Sequence, residues 1–297
     1  MFHKGATAVE NMMDEGFAVA VRNEGLYKYS PAGDWRSLLK TRERIRSIAT
    51  YGGIIFGGGD RGLIMRSMDN GRTWTSAILP TNAAIWSIAV SKEGMVAAHG
   101  KHTVYFSSDF GSSWSSYPIF AHLEDKPVIR SLCFYSGFLL AGTQIHDVNG
   151  GIWIADLLSR ETMLLKEETK AMVSSMLVVE DSFLLAAKGS AHGGRGAIEM
   201  LPLTGRYRNP HSFSSRVQEA SFLNISLDEG VIYTTSSQDE FGYSRIYKID
   251  LCEKKLILSD TIKGHGFGIA NRKEEFFVSA LYESKYVQSS ETTGYVH

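Results

Sequence analysis

The 297-residue chain sets 31 Lys and Arg against 32 Asp and Glu, for a net charge of -1, with 43% apolar and 21% charged residues. That balance suits a soluble globular protein and excludes the surplus of Lys and Arg that broad binding to nucleic acid or to an anionic membrane requires. Two cysteines, Cys133 and Cys252, are too few for a disulfide framework or a zinc cluster, and no apolar run reaches the ~18 residues of a membrane span.

The first residues, MFHKGATAVENMMDEG, lack a basic segment followed by an apolar one, so no secretory signal is expected. From Gly5 onward the chain repeats a pattern of short β-type runs. A first run ends in a turn: GATAVENMMDEG, then IRSIATYGG, IWSIAVSKEG, VIRSLCFYSG, VSSMLVVEDS, FLNISLDEG and FGIANRKEE. Each leads to a second run (FAVAV, IIFGGG, MVAAHG, FLLAGT, FLLAAK, VIYTTS, FFVSAL) and a third (LYKYS, LIMRS, TVYFS, GIWIA, AIEML, RIYKI, KYVQS). A fourth run begins near a tryptophan in several units. Alternation with period two and β-branched enrichment predict strands rather than helices. A unit of four strands recurring about every 42 residues points to a radial repeat.

The expected architecture is therefore all-β: one seven-bladed β-propeller domain over residues 1–297. Its blades fall at 4–40, 44–80, 84–120, 127–168, 171–212, 218–262 and 264–297. Inner strands are expected near 45–51, 85–91, 128–135, 173–179 and 222–227. Cys133, inside SLCFYSGFLL, is expected to be a small core residue.

An eight-residue pattern occurs twice, 40 residues apart: SMDNGRTW from Ser67 to Trp74 and SSDFGSSW from Ser107 to Trp114. Gly71 and Gly111 suit a sharp turn, Asp69 and Asp109 suit turn amides, Ser67 and Ser107 add a hydroxyl bond, and Trp74 and Trp114 carry apolar faces to bury. With these boxes the chain resembles the Asp-box, or bacterial neuraminidase repeat, propellers. Weaker echoes stand at Tyr29 to Trp35 and at Ser289 to Tyr295. That family includes sialidases, xyloglucan-cleaving glycosidases, sortilin-type receptors and a photosystem assembly factor. The resemblance implies that the box is structural and lies on the face opposite the usual active site.

The catalytic set of a sialidase is not matched. No Phe/Tyr-Arg-Ile-Pro surrounds Arg22 or Arg36 in the first unit, and Tyr207-Arg208-Asn209-Pro210 sits in the fifth and lacks the Ile. GGGDRG, residues 57–62, lacks the Lys-Ser/Thr ending of a phosphate loop and reads as a hairpin turn. His99 and His102 read as polar residues of a hairpin loop, without a third ligand to make a metal site. No catalytic residue, metal or cofactor is expected.

In a propeller, the loops joining second to third strands share one face with the blade-to-blade connections. These loops are short in the first three units and long in the next three, at 142–151, 188–197 and 236–245. They offer Gln144, His146, Asp147, Asn149, His192, Arg195, Gln238, Asp239, Glu240, Tyr243 and Arg245. Two readings stand: solvated decoration, or a recognition surface for a protein or a glycan. The connections YPIFAHLEDKP and YRNPHSFSSRVQE add to this face, and the first carries aromatics suited to a partner. The expected function is a non-catalytic binding or assembly scaffold, one setting being a structural part of a viral or phage particle. The alternative is a glycoside hydrolase or lyase of sialidase-like fold on the long-loop face. No nucleic acid and no membrane insertion are expected, a homo- or hetero-oligomer is left open, and the expected location is the cytoplasm or a virion.

Overall fold

The computed structural model describes residues 5–14, 16–190, 195–204, 209–282 and 284–288. Seven antiparallel meanders follow one another, and no helix occurs among the described residues. Blade I holds β1 (Ala6–Asn11), β2 (Phe17–Val21), β3 (Gly25–Tyr29) and β4 (Trp35–Lys40). Blade II holds β5 (Ile45–Tyr51), β6 (Ile54–Gly59), β7 (Leu63–Ser67) and β8 (Thr75–Ile78). Blade III holds β9 (Ile88–Val90), β10 (Val96–Gly100), β11 (Thr103–Ser107) and β12 (Ser115–Tyr117). Blade IV holds β13 (Ile129–Tyr135), β14 (Phe138–Thr143), β15 (Gly151–Ala155) and β16 (Thr162–Glu167). Blade V holds β17 (Ala171–Val179), β18 (Phe183–Ser190), β19 (Ala197–Pro202) and β20 (His211–Ser212). Blade VI holds β21 (Phe222–Asp228), β22 (Val231–Ser236), β23 (Tyr243–Asp250) and β24 (Lys255–Lys263). Blade VII holds β25 (Gly266–Arg272), β26 (Glu275–Ala280) and β27 (Lys285–Val287) among the described residues, and the echo at Ser289 to Tyr295 lies outside them.

The chain forms a seven-bladed β-propeller. Second strands such as FAVAV and IIFGGG are buried along their whole length, because each blade is covered by a neighbour on both faces. Continuous apolar runs are the sequence mark of strands buried that way. Outer strands alternate or face water, as in WRSLLK and KLILSDTIK. The core is correspondingly divided into seven clusters, one in each gap between blades. Phe56, Ile64, Ile85 and Ala98 fill the gap between blades II and III, and Leu185, Ile198, Phe222 and Tyr247 that between V and VI. The ring closes by packing of blade I on blade VII. Phe17 and Val19 bury against Ala270 and Phe277, Tyr29 stacks at 5.2 Å on Phe277, and the Asn11 side chain donates to the Asn271 carbonyl at 2.8 Å.

A small polar residue recurs near the start of the inner strands, and it stitches blade to blade. Thr7 donates to the Ile45 carbonyl, Ser47 to Ile85 (2.9 Å), Ser131 to Val173 (2.8 Å) and Ser174 to Phe222, while the Ser87 hydroxyl accepts the Leu132 N–H at 3.1 Å. These bonds satisfy polar groups where no strand ladder crosses the gap.

Two expectations need correction. The third inner strand covers only Ile88–Val90 rather than 85–91, because the Ile85 N–H donates to the Gly59 carbonyl of blade II (2.9 Å) instead of joining its own sheet. The connection YPIFAHLEDKP does not display its aromatics. Tyr117, Ile119 and Phe120 are buried in the gap between blades III and IV, with Phe120 edge-on to Trp153 at 5.2 Å.

Candidate binding face at the channel mouth

The seven inner strands surround a central channel of about 890 Å³. All of them start at one face, here called upper, and end at the other. Six of them skip one residue in their pairing with the second strand, at Thr7, Arg46, Arg130, Ser174, Leu223 and Phe267. A bulge of this kind re-aims the extra side chain. Trp86, just before β9, occupies the matching place in blade III, since Ile-Trp-Ser aligns with the Ile-Arg-Ser of blades II and IV. All seven line the channel near its upper mouth.

The ring is chemically lopsided. The Trp86 indole, 43% exposed, lies between two guanidinium groups, Arg46 at 4.8 Å and Arg130 at 5.3 Å from its centroid. Both contacts are in cation–π range. Arg46 is neutralised by Asp60 in the hairpin of its own blade, through Nε–Oδ1 at 2.8 Å and Nη2–Oδ2 at 3.3 Å. Arg130 has no hydrogen-bond or ion-pair partner among the described residues, and burial lowers its pKa. Across the ring stand Leu223 and Phe267, the latter edge-on to His265 at 5.6 Å.

His99 differs from its expectation as a loop residue: it stands inside β10, next to its last residue Gly100, and is 1% exposed, and only Lys101 and His102 make the turn. Neither of its ring nitrogens has a partner among the described residues. Burial, aided by the nearby Arg130 charge, pushes its pKa down to about 3, so the ring is neutral. The lower channel is acidic instead. Glu10, Glu93, Glu180 and Asp181 line it against Lys92, which lies 4.0 Å from Asp181, and burial pushes the Glu10 carboxyl up to about 7.

Around the mouth stand the long loops, and four of their polar side chains, Asp239, Arg245, His146 and Asn149, are tied down. Asp239 accepts the N–H groups of Phe241 and Tyr243, both at 3.0 Å, and pairs with Arg245 at 2.7 Å. Arg245 also reaches the buried Glu219 at 3.3 Å, and the Tyr247 hydroxyl donates to the same carboxylate. Glu219 lies 26 residues from Arg245 and was not singled out from sequence. His146 accepts the Asn149 N–H at 3.0 Å and contacts Asp125 at 3.2 Å, while the Asn149 side chain donates to the Asp125 carbonyl at 2.6 Å. Gln144 is half-buried; Asp147, Arg195, Gln238, Glu240 and Tyr243 are exposed; His192 lies outside the described residues. Sequence reading also missed the apolar tips of these loops: Ile145, Val148 and Phe241 are 38%, 65% and 76% exposed.

The two eight-residue turns lie at the ends of β7 and β11, on the lower face. Asp69 accepts N–H groups of Arg72 (3.0 Å) and Thr73 (2.8 Å), the Thr73 hydroxyl (2.6 Å) and the Ser67 hydroxyl (2.8 Å). Ser67 in turn accepts the Gly71 N–H at 2.8 Å. Asp109 and Ser107 repeat the same bonds with Ser112, Ser113 and Gly111. The Thr73 hydroxyl and amide hold the Asp69 carboxyl down at about 2, and the Ser107 and Ser113 hydroxyls lower that of Asp109. Gly71 and Gly111 have φ of 85° and 77°, which a side chain would strain. Trp74 donates to the Leu38 carbonyl of blade I at 3.0 Å, and Trp114 packs between blades II and III.

No protein-family model matches the chain. It is 45% identical over 297 residues, 100% of each chain, to the uncharacterized protein YkuO of Bacillus subtilis (strain 168). Among solved structures it is similar to hydrazine synthase of Kuenenia stuttgartiensis, with a TM-score of 0.75 and 6% identity over 98% of this chain and 97% of that one. YCF48 from Cyanidioschyzon merolae gives 0.69 and 12% over 96% of both chains. The Niastella koreensis GH74 enzyme gives 0.72 and 11% over 95% of this chain and 52% of that one. At such identities the likeness shows the fold alone. The full-length match at 45% identity shows more: the chain belongs to the same protein family as YkuO of Bacillus subtilis.

Proposed function

We propose that the chain is a single-domain propeller of the Asp-box type, working as a non-catalytic module that docks a protein partner on its upper face. The observation that supports this most is a set of large apolar side chains exposed around one channel mouth: Trp86, Ile145, Val148, Phe241, Tyr243 and Phe267. Monomeric proteins rarely leave such groups clustered unless they meet something. The polar bonds within the long loops pre-order them, so association would cost less conformational entropy. Two carboxylates of this face are already committed, Asp60 to Arg46 and Asp239 to Arg245, and Asp147 and Glu240 stand exposed to solvent, which is poor preparation for acid–base catalysis.

A glycoside hydrolase is the second reading, favoured by one feature: Glu10 on the channel wall has its pKa pushed up to about 7, where a general acid belongs. Photo-crosslinking side chains at positions 241 and 86, compared with position 257 on the outer strand β24, test the first reading in cells that make the protein. It expects one crosslinked partner from 241 and 86 and none from 257. Equal crosslinking from all three overturns it. Glycoside turnover that disappears in Glu10→Gln would establish the second.

A further inference from the structure

Arg46 and Arg130 occupy the same ring position in blades II and IV, yet they differ in one respect. Arg46 has Asp60 in the hairpin of its own blade. The corresponding loop of blade IV offers no carboxylate to Arg130: the Thr143 hydroxyl there is taken by the Gly151 N–H at 2.8 Å, and Asp147 is exposed and turned to solvent. A guanidinium stays charged even when burial lowers its pKa. An unpaired, half-buried charge costs the folded state part of its hydration, and that cost is relieved when an anion docks. Behind it, His99 adds two unpaired ring nitrogens, one of which carries N–H in the neutral form.

We propose that the upper mouth of the channel is a carboxylate-binding site, in which Arg130 receives the carboxylate while Trp86, Leu223 and Phe267 take an apolar body joined to it. Charge decides for carboxylate over phosphate. Arg46 is spent on Asp60, so the ring has one uncompensated positive charge, which matches one negative charge. A phosphate dianion would leave an excess negative charge in a site where His99 resists protonation. At the lower end of the channel Glu10, Glu93, Glu180 and Asp181 outnumber Lys92, so that end disfavours the anion that the upper mouth attracts. The indole face of Trp86 and the apolar arc opposite favour an aromatic or alkyl body. The carboxylate has two sources, a small organic acid or the C-terminus of a partner chain. The proposal rests on the reading of the upper face as the binding face.

The test is calorimetric titration of the full chain with indole-3-acetate, indole-3-acetamide and inorganic phosphate, and with a short peptide ending in Phe, as free acid and as amide. The acid is expected to bind saturably and at least about tenfold more tightly than the amide or phosphate. Arg130→Gln is expected to weaken the acid by about tenfold or more, with Arg130→Lys in between, and Trp86→Ala to weaken acid and amide alike. Preference for the free-acid peptide over free indole-3-acetate assigns a chain terminus; the reverse assigns a small acid. Melting curves show that each variant is folded. Equal binding of acid and amide, tighter binding of phosphate, no saturation by about 10 mM, or an Arg130→Gln variant that binds like wild type each overturns the proposal. Crosslinking from position 241 that survives any of these results leaves the docking face standing and removes only the carboxylate.

Discussion

The two eight-residue turns and the ring at the channel mouth both place polar residues at equivalent positions of different blades, but they differ in how their bonds are spent. Around Asp69 and Asp109 every carboxylate oxygen, and the hydroxyls of Ser67, Ser107 and Ser113, meet a donor or acceptor within their own turn. At the mouth, Arg130 has no counter-ion and His99 no hydrogen-bond partner among the described residues. A self-satisfied cluster explains its own residues by stability. An unsatisfied one costs stability and is explained by something that comes to it. Opposite signs of mutational effect should separate the two kinds of region.

The largest effect belongs to a satisfied cluster. Between blades IV and V, Lys188 lies 2.6 Å from Glu199 and pairs with Glu168, while Lys166 bonds Glu199, all of them less than 20% exposed. Lys188→Met would leave two buried carboxylates short of a partner, and chemical denaturation should show a loss of roughly 3–4 kcal/mol. A loss near zero would mean that burial does not separate structural from functional polar groups here.

The next effect is a pH dependence. The folded chain keeps His99 neutral down to about pH 3, whereas the unfolded chain protonates near 6.5. Stability is therefore full above 6.5 and falls as pH drops toward 3, by roughly 1 kcal/mol per pH unit. His99→Phe should flatten that limb in melts taken across this range. Glu10 acts in the opposite sense: its folded pKa of about 7 exceeds the ordinary 4.5, so stability falls as pH rises between the two. Glu10→Gln should remove that second slope.

Much of this architecture was legible in the sequence, and the reason is local. Inner strand 45–51 and the two turns are each written within a few consecutive residues, so period and turn chemistry suffice. What escaped depends on residues far apart in the chain. Arg245 reads as free until Glu219 is brought beneath it from the preceding blade connection, and His146 and Asn149 read as free until Asp125 folds against them. Tyr117 and Phe120 read as surface aromatics until blade IV supplies Trp153 to cover them. The ring contributes one residue per blade, so no window contains it. Its one signal was the large residue ahead of the recurrent small one, in IRS, IWS and IRS, which a reading of strands alone passes over.

A smaller effect tests the other side of the comparison. Asp69→Ala breaks four bonds of one exposed turn and should lower the melting temperature by roughly 2–6 °C while leaving binding on the opposite face unchanged. Loss of binding with an unchanged melting temperature would reassign the turn to function.

The most direct measurement is the melting temperature of Arg130→Gln at neutral pH with no ligand added. If Arg130 is a binding group held at a cost to the fold, removing its uncompensated charge should raise the melting temperature by roughly 1–3 °C. A fall as large as that of Asp69→Ala would show that Arg130 supports the structure, and would contradict the account.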